Sequence, residues 1–378
     1  MPKTYLLTGG TGFLGSLLSI ELIKRGNEVI FLGRSKNNES FQERLEKILK
    51  SIEPDISLDK TKTIEIDLNK EQLGLAEEYI EGLINKVDAI WHLAANLSFK
   101  KEDRERIFTV NVQGLKNILN FAKYVKSPVY YTSTAYVHGQ RPGIIFEEDL
   151  IRPKCFNNPY EESKFEAETM IKKWGQEKGN HFIIFRPSIF VERVGKLICR
   201  SGYYTIVYSL YRLKQKLGHN KKILFPFLYP KNVFLNLMPV DIAIEWMLKI
   251  SSYSKALGKT FHITNPLPPS IENVIRETLK ALYINMPVLR SPKWLVRLYF
   301  TLIYFISFFI KSLRKIAKTF YYYKYYMVEY NTYDMKNTKM FLGEDIISRF
   351  HFKSNFIQQL AKKFIKKLEK NNEKRIKN

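Results

Sequence analysis

Three glycines at three-residue intervals near the start of the chain constrain its fold more than any other feature of the sequence. They are Gly9, Gly12 and Gly15, and they lie between an apolar run at residues 5–7 and a segment at residues 16–25 with helical apolar spacing. Glycine permits a sharp turn and the close approach of backbone to a ligand, and the N–H groups of a helix N-terminus attract anions. Strand, glycine turn and helix in this order predict a dinucleotide site that binds a pyrophosphate.

Composition predicts a large folded protein with an excess of positive charge. The 378 residues are 45% hydrophobic, which is enough for a large core and for two interlocked domains. The net charge of +24 favours anionic partners such as a phosphorylated cofactor, a coenzyme A thioester, anionic lipid or nucleic acid. Cys155 and Cys199 have no metal-ligand spacing, so no metal site is predicted, and a reducing, cytoplasmic compartment is expected.

The second predicted strand ends in a basic residue where many NAD enzymes carry an acidic one. Residues 27–32 form this strand, and Arg34 follows it between Gly33 and Ser35. An acidic side chain at this point binds ribose hydroxyls, whereas an arginine suits a 2′-phosphate. Arg34 therefore predicts NADP(H) as the cofactor, and the alternative is an exposed arginine in a turn without a ligand.

Two further predicted strands end beside the same expected site. Residues 63–68 form one of them, and Asp67 at its exit is expected to meet the adenine edge of the cofactor. Residues 87–95 run into small side chains, so that a cofactor can lie against the backbone at Ala94. Both strand ends therefore extend the predicted cofactor site.

A hydroxyl cluster and a tyrosine–lysine pair follow later in the chain. The predicted fifth strand, residues 128–139, contains Thr134, and the helix after it opens with Tyr160 and Lys164. Residues four apart lie on one helix face, where an ammonium lowers the pKa of a phenol because it favours the phenolate. Such pairs are common in helices, and the position after a strand with Thr134 makes this one a candidate catalytic pair.

Taken together, these motifs resemble the extended short-chain dehydrogenase/reductase superfamily. Its signatures are TGxxGxxG, a serine or threonine after the fifth strand, and YxxxK. They match residues 8–15, 132–134 and 160–164, and the resemblance covers residues 1 to about 265. It implies an α/β fold with a nicotinamide cofactor at the carboxyl ends of the strands.

The resemblance also implies a role for each matching residue. Thr134 is then the catalytic hydroxyl, Tyr160 the proton donor and Lys164 the group that holds the ribose. Asn111, on a helix predicted at residues 107–124, supports a water relay. The implied cofactor-binding residues are Thr8, Gly9, Gly12, Phe13, Leu14, Gly15, Arg34, Asp67, Leu68, Ala94, Tyr160, Lys164 and Pro187.

Within that superfamily, four segments look like the fatty acyl-CoA reductase and thioester reductase branch. They are residues 92–99, 133–139, 185–190 and 236–241. The branch implies NADPH-dependent reduction of a hydrophobic acyl thioester, on coenzyme A or on a separate carrier protein, to an aldehyde or an alcohol; no nucleic acid is expected as a partner. The open alternatives are a ketone reductase or hydroxysteroid-type dehydrogenase, a nucleotide-sugar epimerase, and a non-catalytic nucleotide-sensing protein.

The second half of the chain is richer in aromatic residues than a sugar-nucleotide site requires. Residues 202–211 and 223–229 carry mostly aromatic and aliphatic side chains. They suit a pocket for an acyl chain, and the alternative is ordinary packing in a core.

The last hundred residues contain an apolar segment followed by basic and aromatic residues. Residues 294–310 are mostly apolar, but the uninterrupted part is shorter than the ~20 residues of a membrane-spanning helix. Lys311, Arg314, Lys315, Lys318 and a tyrosine run ending at Tyr326 come next. This pattern predicts either an interfacial helix at a membrane surface or a helix that covers the substrate pocket. Residues 356–368 read as an amphipathic helix, and the last ten residues as a solvated basic tail.

These observations predict a doubly wound parallel α/β sheet, the Rossmann fold, with a smaller, mainly helical C-terminal substrate region. An NADP-binding domain is expected at residues 1–190, with residues 236–265 returning to it. The substrate-binding region, with the apolar and basic C-terminal segment, is expected at residues 191–378. The expected location is cytoplasmic, with peripheral contact at the inner face of a membrane as an option.

Overall fold

A parallel β-sheet forms the centre of the computed structural model, which describes residues 2–192, 201–217, 223, 225–310, 313–350 and 352–377. The strands of the described chain, in this sheet and outside it, are β1 (Thr4–Thr8), β2 (Glu28–Gly33), β3 (Thr61–Glu65), β4 (Ala89–His92), β5 (Val129–Thr132), β6 (Ile144–Ile145), β7 (Phe182–Pro187), β8 (Ile189–Val191), β9 (Phe227–Tyr229), β10 (Leu237–Pro239), β11 (Thr260–Ile263), β12 (Val288–Arg290) and β13 (Thr332–Tyr333). The α-helices of the described chain are α1 (Phe13–Lys24), α2 (Phe41–Ile52), α3 (Glu77–Glu81), α4 (Arg104–Phe108), α5 (Gly114–Val125), α6 (Pro159–Trp174), α7 (Tyr203–Leu217), α8 (Val240–Ser251), α9 (Ile271–Ala281), α10 (Lys293–Ile306), α11 (Arg314–Val328), α12 (Lys336–Leu342) and α13 (Phe356–Lys377).

The central sheet has seven parallel strands in the order β11-β7-β5-β4-β1-β2-β3. The chain builds outward from β1 through β2 to β3, crosses back to β4, and then builds outward on the other side. A crevice for a ligand forms at such a reversal, at the carboxyl ends of the strands, and here it lies between β1 and β4. The predicted doubly wound parallel sheet is confirmed.

Both faces of the sheet are buried. Along β1, Leu6 and Leu7 point to opposite faces, and neither is exposed. Leu7 packs in a core with residues of α1, α2 and α8, and Leu6 in a core with residues of α5 and α6. A strand buried on both faces needs continuous apolar side chains, which explains the uninterrupted run at the start of the chain.

The C-terminal half is mainly helical, as predicted, and has a core of its own. Helices α7, α9, α10, α11 and α13 pack there against β9 and β12. Residues 203–210 and 227–229 contribute to this core, and the hydroxyl of Tyr203 is hydrogen-bonded to Thr278 at 2.9 Å. Of the two interpretations considered for these segments, packing in a core therefore applies to residues 203–210 and 227–229.

Several element boundaries differ from the sequence-based prediction. The helix expected at residues 107–124 is divided into α4, a π-helical turn (Thr109–Gln113) and α5. Strand β3 ends before Asp67, which lies in the following loop, and α13 continues to Lys377 where a tail was expected. Among the described residues, no helix combines the length and apolar character that a bilayer crossing requires. Cys199 and Lys311 lie outside the described residues.

A buried ion pair attaches α6 to the sheet. Arg186 on β7 binds Glu168 on α6 with an Nη2–Oε2 distance of 2.6 Å, and neither side chain is exposed. The same guanidinium donates to the backbone oxygens of Phe146, Glu147 and Asp149. A buried pair is tolerated only when its remaining hydrogen-bonding groups are satisfied, as they are here. The helix that opens with Tyr160 is thereby held in one position against β7.

Candidate functional site

A cavity of about 570 Å³ opens at the carboxyl ends of β1 and β4, where the strand order reverses. It is the place where a doubly wound fold binds its ligand. The predicted site residues that line it are Gly9, Gly12, Phe13, Leu14, Gly15, Arg34, Asp67, Leu68, Ala94, Thr134, Tyr160, Lys164 and Pro187. Thr8 and Asn111 lie behind its wall.

The glycine turn forms the floor of this cavity. Gly9 has a φ of +77°, and a Cβ on it would lie 2.7 Å from the backbone nitrogen of Ala94. A Cβ on Gly15 would lie 2.2 Å from the carbonyl oxygen of Gly9, so glycine is required for α1 to start this close to the turn. The first N–H groups of α1 have no partner within the helix and are available to an anion. The turn therefore fits the pyrophosphate of a dinucleotide.

Thr8 holds the turn against the neighbouring strand. Its Oγ1 lies 2.8 Å from Nδ1 of His92 and accepts the backbone N–H groups of Leu93 and Ala94 at 3.2 and 3.3 Å. Burial lowers the pKa of His92 to about 3, so this imidazole is neutral. Thr8 and His92 consequently shape the backbone at Ala94, as their place at strand ends suggests.

One end of the cavity carries three cationic side chains. They are Arg34, Lys36 and Arg44. Nη1 of Arg44, from the first turn of α2, donates to the carbonyl oxygen of Arg34 at 2.8 Å. Asp67 and Leu68 line the side of the same end, where the backbone of Leu68 is held by Nδ2 of Asn117 at 2.7 Å. Arg44 was missed because it comes close to Arg34 only when α2 packs beside β2, whereas Lys36 is only two residues from Arg34 in the sequence and could have been included.

The hydroxyl cluster and the tyrosine–lysine pair lie at the other end. Thr134 is buried and caps the turn after β5, where its Oγ1 accepts the backbone N–H of Tyr136. Nζ of Lys164 donates to the hydroxyl of Tyr131 at 3.1 Å and to the carbonyl oxygen of Thr132 at 2.8 Å. The structure thus brings Thr134, Tyr160 and Lys164 to one cavity.

The pKa values of the pair do not follow the simple expectation. Burial lowers the pKa of Lys164 to about 7, although Glu168 opposes the shift. Burial, followed by the charge of Glu161, raises the pKa of Tyr160 above its ordinary value. The expectation that Lys164 lowers the pKa of Tyr160 is therefore not met in this structure, since desolvation of the phenol dominates and a lysine with a pKa of about 7 is only partly charged at neutral pH. A protonated Tyr160 is suited to donate a proton.

Asn111 has a positioning role in this structure. Its Oδ1 accepts the backbone N–H of Asn96 at 2.7 Å, and its Nδ2 donates to the carbonyl oxygen of Asn96 and to Oγ of Ser163. It lies in the π-helical turn between α4 and α5, and such turns are frequent at functional sites. The amide therefore ties the loop after β4 to α6, the helix of Tyr160.

Aromatic side chains cover the Tyr160 end of the cavity. Phe99 has its ring centroid 6.0 Å from that of Tyr160, 5.4 Å from Tyr323 and 5.7 Å from Tyr326. Tyr136 packs edge-on against Tyr326 at 4.9 Å. We call Phe99, Tyr136, Tyr323 and Tyr326 the aromatic roof.

Two of the four roof residues come from α11, in the segment for which two roles were considered. Tyr323 and Tyr326 are three residues apart on this helix and so share one face, a spacing that is visible in the sequence. α11 therefore covers the pocket, whereas α10 packs on the far side of α11 and exposes much of its apolar surface.

Fold and site together define a class: an extended short-chain dehydrogenase/reductase with a nicotinamide-nucleotide site. The model of an NAD-binding family described as male sterility protein matches residues 7–247. The match extends over more than half of the chain, and the chain belongs to this family.

The chain matches the curated relatives over less than half of their length. The mouse fatty acyl-CoA reductase 1 is 34% identical over 155 residues, which are 38% of this chain and 30% of the relative. The carboxylic acid reductase of Mycobacterium tuberculosis is 25% identical over 303 residues, 71% of this chain and 25% of the relative. A Bacillus cytotoxicus UDP-N-acetyl-alpha-D-glucosaminuronate decarboxylase is 33% identical over 156 residues, 39% of this chain and 42% of the relative.

Solved structures share the fold over nearly the whole chain. The terminal R domain of the myxalamid PKS-NRPS pathway superposes with a TM-score of 0.77 at 22% identity, covering 98% of this chain and 91% of that one. The UDP-glucuronic acid 4-epimerase of Bacillus cereus superposes with a TM-score of 0.64 at 16% identity, covering 97% of this chain and 98% of that one. At these identities the likeness establishes the fold alone.

Proposed function

We propose that this protein reduces a hydrophobic acyl thioester to an aldehyde or an alcohol with NADPH. The observation that carries the proposal is the single cavity that joins a glycine turn, a cationic end and the Thr134–Tyr160–Lys164 group under an aromatic roof. Relatives named as fatty acyl-CoA reductase and carboxylic acid reductase support acyl reduction. The aromatic roof supports an acyl substrate over a sugar nucleotide, because a sugar needs more polar partners.

We further propose how the site residues divide the work. When bound, the nicotinamide nucleotide supplies a hydride. Thr134 and Tyr160 donate hydrogen bonds to the carbonyl oxygen of the substrate, whose negative charge grows during the reaction. Tyr160 then gives that oxygen its proton, while Lys164 holds the ribose and Asn111 keeps the surrounding loop in place.

The remaining cofactor-binding residues would hold the nucleotide along the cavity floor. Those that line the cavity are Gly9, Gly12, Phe13, Leu14, Gly15, Arg34, Asp67, Leu68, Ala94 and Pro187. Thr8 would contribute from behind the wall, through its hydrogen bonds to the backbone of Leu93 and Ala94. In this proposal residues 1–190 with 236–265 form the cofactor-binding domain, and residues 191–378 form the substrate region. The cluster of Arg34, Lys36 and Arg44 supports NADP(H) over NAD(H), because a 2′-phosphate would bring negative charge to this end.

An assay of purified protein against a substrate panel tests this function. We expect oxidation of NADPH with long-chain acyl-CoA and release of free thiol, and no turnover of UDP-sugars. Thiol release distinguishes thioester reduction from reduction of a ketone, which frees no leaving group. Turnover of ketones or UDP-sugars alone, with no thiol released from any thioester, would contradict the proposal.

We also propose that the outer side of α10 contacts an anionic membrane surface. The exposed side chains that we call the α10 apolar face are Trp294, Leu298, Leu302, Phe305 and Ile306 on the helix, together with Phe309 in the turn that follows it. Trp294 is 65% exposed and Phe309 is 91% exposed, whereas Val296 and Phe300 point inward and are buried. Scattered exposed apolar residues are ordinary, but a continuous face of this kind marks an interaction surface.

The charge beside this face favours lipid as the partner. Arg314 and Lys315 at the start of α11 are exposed, and the guanidinium of Arg314 lies 4.4 Å from the ring centroid of Phe308. Each basic residue near an anionic surface contributes about 1 kcal/mol of attraction. Because α10 packs on α11, the helix of the roof, a docked α10 would place the cavity near the lipid that dissolves long acyl chains.

Sedimentation with vesicles tests the membrane proposal. We expect the protein to bind phosphatidylserine-containing vesicles at low salt and to dissociate at high salt. The Leu298→Glu/Leu302→Glu variant should lose binding and keep NADPH affinity. The control Ile151→Glu/Leu267→Glu, which adds the same charge at exposed apolar residues elsewhere, should still bind. Equal loss in both variants, or no binding by the wild type, would refute the proposal.

A further inference from the structure

The hydroxyl of Tyr326 lies between two polar side chains at the start of α6. Tyr326 lines the cavity in the aromatic roof, and its hydroxyl donates a hydrogen bond to Oε1 of Glu161. Nδ2 of Asn158 donates to the same hydroxyl at 2.7 Å. The orientation of the Asn158 amide is fixed because its Oδ1 accepts the backbone N–H of Glu161, as the cap of α6. The phenol is therefore held in place from behind.

Glu161 is a buried carboxyl group next in sequence to Tyr160. None of its surface is exposed, and besides Tyr326 it accepts the backbone N–H and Nδ2 of Asn157 at 3.0 and 3.2 Å. Burial raises its pKa to about 7, against the opposing effect of these hydrogen bonds. The carboxyl group is therefore protonated in a substantial share of molecules near neutral pH. The function proposed above for Tyr160, Lys164 and Thr134 does not use this group.

A protonated Glu161 changes what Tyr326 can do. Its O–H can donate to the oxygen of Tyr326, which then accepts two hydrogen bonds, one from Glu161 and one from Asn158. The tyrosine O–H is then free to point into the cavity. Burial and the charge of Glu161 raise the pKa of Tyr326 well above its ordinary value, so Tyr326 keeps its proton in the resting site. A proton on Glu161 removes that charge, and the hydrogen bond from Asn158 also opposes the shift, so the phenol releases its proton more readily when Glu161 is protonated.

We infer that Tyr326 is a second proton donor of the active site, and that it protonates the sulfur that leaves when an acyl thioester is reduced. This inference rests on the proposed function. Such a donor assists thioester reduction because sulfur that is protonated as it departs is a better leaving group, and the proton of Tyr160 is used at the carbonyl oxygen.

The step balances as follows. Hydride addition to the carbonyl carbon and proton transfer from Tyr160 to the oxygen give a hemithioacetal. Its C–S bond then breaks, the electron pair leaves with sulfur, and the hydroxyl proton returns to Tyr160 as the C=O bond forms. Sulfur takes the proton of Tyr326, Tyr326 takes one from Glu161, and solvent restores Glu161. The sum is thioester, hydride and one proton to aldehyde and thiol.

The test compares two leaving groups on the same acyl chain. With an alkyl thioester, whose thiol has a pKa near that of cysteine, Tyr326→Phe should lower kcat by about 10²-fold, a typical contribution of general acid catalysis. With an aryl thioester, whose thiolate leaves without a proton, the kcat of Tyr326→Phe should be close to that of the wild type. Glu161→Gln, which retains a hydrogen-bonding group but supplies no proton, should show the same difference in weaker form.

Tyr322→Phe is the matched control, because Tyr322 lies on the same helix and does not line the cavity. This variant should have the kcat of the wild type with both thioesters. Equal loss with both thioesters in Tyr326→Phe, or no loss with either, would overturn the inference while wild-type thioester turnover upholds the proposed function. A wild type that reduces no thioester would overturn both.

Discussion

Replacing Tyr160 with phenylalanine is expected to lower kcat by about 10²–10⁴-fold, the range for loss of a general acid. NADPH binding should be close to that of the wild type, because the substitution removes one hydroxyl and leaves the glycine turn and the cationic end intact. Stopped-flow measurement of NADPH oxidation, with cofactor affinity from fluorescence titration, measures both quantities.

The matched control for this variant is Tyr253→Phe, since Tyr253 is 44% exposed and lies outside the cavity. It removes the same hydroxyl from the surface and should leave kcat unchanged. A Tyr160→Phe variant with the turnover of the wild type would show that another group donates the proton to the carbonyl oxygen. Parallel loss of kcat and NADPH affinity would instead indicate a distorted site.

Reversing the charge of two side chains at the cationic end should greatly reduce the preference for NADPH over NADH. In Arg34→Asp/Arg44→Glu we expect the Kd for NADPH to rise by about 100-fold, because hydrogen bonds to a charged group contribute about 1.5–3 kcal/mol each. The Kd for NADH, which has no 2′-phosphate, should change little. Isothermal titration with both cofactors measures the ratio of the two affinities.

Lys178→Asp controls for net charge, because Lys178 is exposed on a loop after α6 and distant in sequence from the cationic end. It should preserve the NADPH preference of the wild type. Equal weakening of NADPH and NADH in the double variant would mean that Arg34 and Arg44 act on the fold or on the shared part of the two cofactors. The assignment of NADP(H) would then be withdrawn.

The sequence was sufficient to predict the sheet and the part of the site that depends on local geometry. Gly9 and Gly15 are needed by the turn itself, so their spacing carried the prediction of the cofactor floor. Tyr160 and Lys164 share a helix face whatever surrounds them.

Residues brought in by packing could not be predicted in this way. Arg44 reaches the cationic end only because α2 packs beside β2, and Tyr326 reaches the roof from a helix about 160 residues beyond Tyr160. Composition also left two interpretations open for Tyr203, a pocket or a core, and the residue lies in a core. An aromatic run has the same pattern in both cases, and only the neighbouring helices distinguish them.

The origin of the aromatic roof has a consequence for how this enzyme can be modified. The floor and the Thr134–Tyr160–Lys164 group come from the first 190 residues, whereas Tyr323 and Tyr326 come from α11, which packs against α10. On the proposed function, acyl-chain selectivity is therefore expected to be open to redesign in helices α10 and α11 with the nucleotide-binding half kept as it is. Directed libraries restricted to Tyr323 and to positions on the same face of α11 sample chain-length preference, provided that the link from Tyr326 to Glu161 is retained.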